Sequence, residues 1–145
     1  MVLTDVSAEA LTAAMSPSLY HSAIAVNISG ELVKQKEFRA HFELTVVIDG
    51  VDYQPDISVY KRKKLHYISE QDEPKTAELP LLAIEIVSPS QTMNELIRKA
   101  DFYVESGIQS VWIVHPQTHS ITVKRNTTIS FCFNFLSTMD YFLRE

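Results

Sequence analysis

Residues 81–90 read LLAIEIVSPS, and this stretch decides how the chain folds. The run 81–87 is short, apolar and bounded by prolines, which is typical of a buried β-strand. Glu85 is the one charged residue in this run. A carboxylate in apolar surroundings must find a partner, bind a cation or take up a proton, because burying its charge costs several kcal/mol. Glu85 is therefore a candidate functional residue, unless its side chain points into solvent or meets an arginine.

The residues after this stretch predict a helix and two further strands. Thr92 and Glu95 match a capping box, so a helix is expected to begin there. It should run to about Ser106, with Gly107 just beyond its C-cap. The strands that follow are expected at residues 111–114 and 121–125.

The residues before this stretch predict another helix. Ser16 and Pro17 suit the N-cap and first position of a helix that extends to about Lys36. Apolar residues recur every four positions along it, as expected for one buried face. These residues are Tyr20, Ile24, Ile28 and Leu32.

A β-hairpin is predicted between this helix and the Glu85 strand. Apolar and polar residues alternate over residues 42–48 and again over residues 51–59, and Asp49-Gly50 between them favours a tight turn. Asp56 lies on the more polar face of the return strand. The resulting order is helix, three strands, helix, two strands, which indicates a mixed α/β fold with a sheet flanked by helices.

Composition limits the class of protein. The chain has 145 residues, of which 46% are hydrophobic, so we expect residues 1–145 to form a single domain. A net charge of -5 argues against a protein that coats nucleic acid with its whole surface, but it leaves room for a local basic groove. Neither GxGxxG nor GxxxxGK[ST] is found, which argues against the usual nucleotide-dependent chemistry. The lone Cys132, the lack of an apolar membrane span and the lack of a secretory signal at Met1–Ser7 predict a cytoplasmic protein.

Asp56 and Glu85 lie on different strands of one predicted sheet, which can bring their carboxylates together. Two hard oxygen ligands suit Mg²⁺, which keeps several waters and completes its shell with phosphate oxygens. Lys99 lies about two turns into the helix after the Glu85 strand, and a helix that folds back can return its ammonium to that strand. There it would offset the negative charge of a phosphodiester in the transition state. In the alternative interpretation, Asp56 and Lys99 are ordinary polar residues on solvated faces.

Four segments follow one another in a specific order along the chain: Tyr53-Gln54-Pro55-Asp56-Ile57-Ser58-Val59, Ala83-Ile84-Glu85-Ile86-Val87-Ser88-Pro89-Ser90, Lys99 to Tyr103 with Gly107-Ile108, and Val111-Trp112-Ile113-Val114. These ordered motifs resemble the PD-(D/E)XK nuclease superfamily, and within it the bacterial family of Uma-two-like restriction endonucleases. The resemblance covers roughly residues 18–125. It implies a restriction-endonuclease-like core of order α-β-β-β-α-β, in agreement with the elements predicted above.

This resemblance implies a set of site residues. Asp56 and Glu85 would bind Mg²⁺ or Mn²⁺, and the backbone carbonyl of Ile86 could add a ligand. The chain departs from the superfamily at Val87, where the lysine of the motif is expected, and in this family the lysine has moved to the following helix, which matches Lys99. His21 matches a histidine in the first helix of the family, and we interpret it as a helix-packing residue or a residue that supports the metal ligands.

The resemblance stops near Arg125, so residues 126–145 form an atypical tail. Aromatic residues alternate with polar ones in the tail, which favours an edge strand that pairs with a second chain. We therefore expect a homodimer or larger oligomer, the alternative being that the tail covers its own sheet. The aromatic residues concerned are Phe131, Phe133, Phe135, Tyr141 and Phe142.

The sequence thus predicts a metal-dependent endonuclease that hydrolyses DNA phosphodiester bonds. The alternative function is a catalytically inactive nuclease-fold module that binds DNA or a protein partner. A Cys-His or Ser-His nucleophile that uses Cys132, Ser88 or His115 is disfavoured, because no nucleophile elbow is present. Metal binding by His115 and His119 is disfavoured too, because Pro116 makes that stretch a turn.

Overall fold

The computed structural model describes residues 17–126. Within this range no helix is both long and apolar enough to cross a membrane. The helices are α1 (Leu19–Val33) and α2 (Met93–Glu105). The strands are β1 (Phe38–Phe42), β2 (Thr45–Ile48), β3 (Val51–Tyr53), β4 (Ile57–Lys61), β5 (Lys75–Thr76), β6 (Leu82–Ile86), β7 (Ser110–His115) and β8 (Ser120–Arg125).

A five-stranded mixed sheet in the order β1-β4-β6-β7-β8 forms the centre of the described region. Strands β6 and β7 are parallel and are joined through α2, whereas the other neighbours are antiparallel. Side chains of β6 alternate between the two faces. Ile84 packs with residues of α1 on one face, and Ala83 packs with residues of α2 on the other. In chain order the elements of this sheet and its helices are α1, β1, β4, β6, α2, β7 and β8, which confirms the predicted mixed α+β class and its α-β-β-β-α-β core.

The predicted hairpin is divided between two sheets, which corrects its strand boundaries. The chain bends at Glu43, whose φ is 51°, and again at residues 54–56, so each predicted long strand becomes two short ones. The inner halves, β2 and β3, join β5 in a separate three-stranded sheet. The outer halves, β1 and β4, belong to the main sheet. Ser58, two residues after Asp56 and on the same predicted polar face of the return strand, is fully buried in β4.

The local signals at the helices are confirmed in part. Thr92 and Glu95 form the predicted capping box of α2, and Gly107 has the positive φ of 111° expected beyond the C-cap. Helix α1 begins two residues later than predicted, because Ser18 is its N-cap and accepts a hydrogen bond from the His21 N–H. The predicted cap Ser16 lies outside the described residues. Tyr20 is exposed and His21 is buried instead, since exact four-residue spacing drifts around a helix of 3.6 residues per turn.

Candidate active site

Glu85 lies in the central strand β6 with only 2% of its surface exposed. It lies on the face of the sheet that α2 covers. Two side chains one helical turn apart reach it from α2, as expected for residues at positions i and i+4. Lys99 Nζ is 2.7 Å from Glu85 Oε1, and the Tyr103 hydroxyl donates to the same oxygen at 3.2 Å. The buried carboxylate is thus held by one cation and one neutral donor.

The electrostatic state of Glu85 follows from this environment. Burial is the main cause that raises the pKa of Glu85, to about 7, and the nearby charge of Asp56 raises it further. Lys99 and the Tyr103 hydrogen bond oppose this rise. Burial and the Glu85 charge raise the pKa of Tyr103, so its hydroxyl remains a donor. With a pKa of about 7, the Glu85 carboxyl changes its charge near neutral pH.

Asp56 occupies the bend between β3 and β4. The bend is tied to the preceding one, because the Glu43 N–H donates to the Asp56 carbonyl at 3.0 Å and Gln54 Nε2 donates to the Glu43 carbonyl at 2.8 Å. The side chain is held as well. Asp56 Oδ2 accepts from the Ile86 N–H at 2.7 Å and lies 3.1 Å from His21 Nε2. The hydrogen bond to Asp56 is the main cause that raises the pKa of His21.

These contacts tie both carboxylates to the same end of strand β6. Asp56 is bound to the amide of Ile86, the residue that directly follows Glu85. Each carboxylate has one oxygen, Asp56 Oδ1 and Glu85 Oε2, that accepts no hydrogen bond from the described residues. Two such oxygens suit a hydrated Mg²⁺ or Mn²⁺, which needs few protein ligands. Across residues 17–126 no group of three or more His, Cys, Asp or Glu side chains is placed to hold a metal ion.

Comparison with known proteins identifies the family. Residues 7–131 match the model of the Uma2 family, described as "Putative restriction endonuclease". The chain belongs to the Uma2 family. A solved structure from Anabaena variabilis, described as a "putative nuclease belonging to DUF820", is similar with a TM-score of 0.70. The two chains are 22% identical, with 88% of this chain and 82% of the other covered, so the likeness shows the fold. Comparison with curated proteins gives no match.

In this Uma2 chain, Lys99 forms an ion pair with Glu85. Asp56 accepts a hydrogen bond from the backbone of Ile86, the residue after Glu85 in β6. For Ile86 it shows the N–H as a donor to Asp56. Tyr103 has no predicted role from the sequence, and His21 was predicted either to pack the helix or to support the metal ligands. Their signals were a tyrosine four residues after Lys99 and a polar residue on the buried face of α1, but neither pattern says which carboxylate is contacted.

Proposed function

We propose that this Uma2 chain is a metal-dependent endonuclease that hydrolyses DNA phosphodiester bonds. One arrangement supports this proposal. Asp56 accepts a hydrogen bond from the Ile86 N–H, next to Glu85 in the chain, and Lys99 pairs with the buried Glu85 carboxylate. Asp56 and Glu85 would hold one Mg²⁺ or Mn²⁺, and the Ile86 carbonyl remains a proposed third ligand. When bound, such a cation neutralises phosphate charge and lowers the pKa of a water.

The other side chains of the site have separate proposed tasks. Lys99 is 30% exposed at its side chain while Glu85 is 3% exposed, so its ammonium lies between the buried carboxylate and solvent. From there it can contact a phosphate and stabilise the charge that develops in the transition state. Tyr103 and His21 act as positioning residues, because each fixes one oxygen of a carboxylate and leaves the other to a cation.

We propose that the substrate is DNA, that the protein forms a homodimer and that it is located in the cytoplasm. Two sites in one assembly suit a duplex, since cleavage of both strands requires two cuts. The aromatic tail proposed to form the contact, Phe131 to Phe142, lies outside the described residues. The lone cysteine, Cys132, suits a reducing compartment. Light scattering over a range of protein concentrations tests the dimer, and a monomer at the highest concentration would contradict it.

The test of the function is cleavage of supercoiled plasmid DNA in Mg²⁺ or Mn²⁺ and in EDTA. We expect nicked or linear product only with the metal. Asp56→Asn should remove the product, because it loses a charged ligand without losing volume. The matched control is Asp52→Asn, which changes an exposed carboxylate that pairs with Lys75 in the small sheet. Binding of DNA without cleavage, or equal cleavage by Asp56→Asn and the control, would instead support the inactive binding module.

A further inference from the structure

A cavity of about 300 Å³ opens beside the candidate site, where strand β6 ends. One of its walls is formed by Val87 and Ser88, the first two residues after the amide that binds Asp56. A second wall is formed by Ser18 and Tyr20 at the start of α1. The cavity is therefore built on the same backbone segments that position the carboxylates.

The lining of this cavity is uncharged. Within the described part of the chain, no aspartate, glutamate, lysine or arginine lines it. Its one histidine, His115, has its pKa lowered by burial, and His115 Nε2 is engaged with Thr122 Oγ1 at 3.0 Å. The ring is therefore neutral at neutral pH. A cavity without charge does not attract a phosphate, whereas Lys99 and a cation held by the two carboxylates would, so the two regions suit different parts of one nucleotide.

The chemistry of the lining suits a flat, neutral ring. Tyr20 is 69% exposed and offers an aromatic face. Gln91 Oε1 accepts from both the N–H and the hydroxyl of Ser88 at 3.2 Å, which leaves Gln91 Nε2 as a donor. Gln117 adds a second, exposed amide. Aromatic stacking combined with amide contacts is how proteins recognise unstacked bases. The volume is at the low end of the range of about 300–1,000 Å³ for ligand cavities, which suits one ring system.

We propose that this cavity accepts one unstacked nucleobase of a DNA strand, next to the phosphodiester at the carboxylates, with Tyr20 stacking on the base. The position of that phosphodiester rests on the proposed function. A base can enter only after it leaves the helical stack, which costs a paired duplex a few kcal/mol and costs a single strand much less. The chain therefore prefers DNA with an unpaired base near the cleaved bond.

The experiment measures binding of fluorescein-labelled single-stranded DNA by anisotropy, with Ca²⁺ in place of Mg²⁺. One oligonucleotide is intact, and the others carry a single abasic position that is moved along the strand. We expect Tyr20→Ala to weaken binding of the intact strand by about 5- to 150-fold, the range for one stacked base. For the strand whose abasic position falls at the cavity, Tyr20→Ala should bind as tightly as the starting protein, because no base is there for Tyr20 to stack on. Tyr67→Ala is the control, since Tyr67 is 87% exposed and does not line the cavity.

The outcomes separate this inference from the proposed function. If Tyr20→Ala and Tyr67→Ala bind all the strands equally well, the cavity does not take a base, even where plasmid cleavage is intact. If Tyr20→Ala loses affinity equally for every abasic strand, the ring contacts the backbone and the inference is wrong. If Tyr20→Ala loses affinity for the intact strand but not for one of the abasic strands, the inference is supported, even if no DNA is cleaved. Urea unfolding of both variants shows whether the fold is kept, and we expect it to be, because both rings are exposed.

Discussion

Two Lys–Glu pairs of almost equal length lie in different surroundings. Lys99 Nζ is 2.7 Å from Glu85 Oε1, and Lys63 Nζ is 2.8 Å from Glu78 Oε1. The side chains of the first pair are 30% and 3% exposed, whereas those of the second are 68% and 53% exposed. A surface pair contributes about 0–1 kcal/mol, because water screens both charges. A pair with a buried carboxylate differs, because removing that charge from water has a desolvation cost that can exceed the attraction between the two charges.

The difference shows where function is to be sought. A fold does not need a buried carboxylate in β6, since an apolar residue there would pack without the cost of desolvation. At Glu85 that cost accompanies a second tethered carboxylate, Asp56, and two donors from α2. The Glu78 carboxylate, by contrast, pairs with Lys63 at the surface. Burial of the carboxylate, and not charge pairing in general, therefore distinguishes Glu85 as the centre of the candidate site.

The largest difference in cleavage rate is expected between the variants of the two glutamates, Glu85 and Glu78. Glu85→Gln should lower plasmid cleavage at least about 1,000-fold, because a metal ligand supplies several kcal/mol of transition-state stabilisation. Glu78→Gln, which removes the same charge from the surface pair, should leave cleavage unchanged. Initial rates of plasmid nicking at saturating Mg²⁺ measure both. Similar rates for the two variants would remove Glu85 from the mechanism.

The next largest difference is expected between the kcat values of the lysine variants, Lys99→Ala and Lys63→Ala. Lys99→Ala should lower kcat about 100- to 1,000-fold with little change in KM, because its interaction strengthens in the transition state. Lys63→Ala should leave both constants within about twofold of the starting protein. Steady-state kinetics on a labelled oligonucleotide separates kcat from KM. If Lys99→Ala instead raised KM alone, Lys99 would be an ordinary phosphate contact.

Stability should depend on pH through Glu85 more than through Glu78. The pKa of Glu85 is about 7 in the fold against an ordinary value of 4.5. The fold thus favours the protonated form, so the stability from Glu85 is fully present below pH 4.5 and is lost as pH rises through 7. Glu85→Gln cannot ionise, and its free energy of unfolding relative to the starting protein should rise by about 3 kcal/mol over that pH range.

Urea unfolding in EDTA between those pH values measures this difference. The raised pKa of His21 also makes stability fall as pH rises, but it does so in both proteins and largely cancels in the difference. Glu78→Gln is again the control. A difference between Glu85→Gln and the starting protein that does not change with pH would show that the buried carboxylate keeps an ordinary pKa.

The smallest effect should come from the tyrosines that accompany the two pairs. Tyr103 donates to Glu85 Oε1, and Tyr60 donates to the Glu78 carbonyl at 3.0 Å. Tyr103→Phe should lower Mn²⁺ affinity about 10-fold, as expected when a partner of a metal ligand is removed. Tyr60→Phe should not change it. Calorimetric titration with Mn²⁺ gives both affinities, and equal values would mean that Tyr103 only packs.

The parts of the fold that carry local signals could be predicted from the sequence. Strand β6 follows from a short apolar run, and α2 follows from its capping box and from Gly107. The bend at Glu43 could not be predicted, because the alternation of apolar residues continues through it while the chain passes from one sheet to the other. Glu43 has a positive φ without being glycine, and Phe42 before it is 55% exposed.

The candidate site was predictable to a similar extent. Glu85 stood out because a charge in an apolar strand needs an explanation, and Lys99 and Asp56 followed from the element order and the family motifs. The contact between His21 and Asp56 joins residues 35 positions apart through α1 and the bend before β4. No local pattern reports such a contact, since it depends on how the helix packs across the sheet.

The position of Mn²⁺ in crystals of this protein, measured by anomalous diffraction, shows whether Asp56 and Glu85 hold the metal. We expect one peak that contacts the carboxylates of Asp56 and Glu85, and its loss in Glu85→Gln crystals soaked in the same way. The soak uses the Mn²⁺ concentration that supports plasmid cleavage. A Mn²⁺ peak elsewhere, with the Lys99–Glu85 pair intact and no ion on either carboxylate, would show that the two carboxylates are not the metal site.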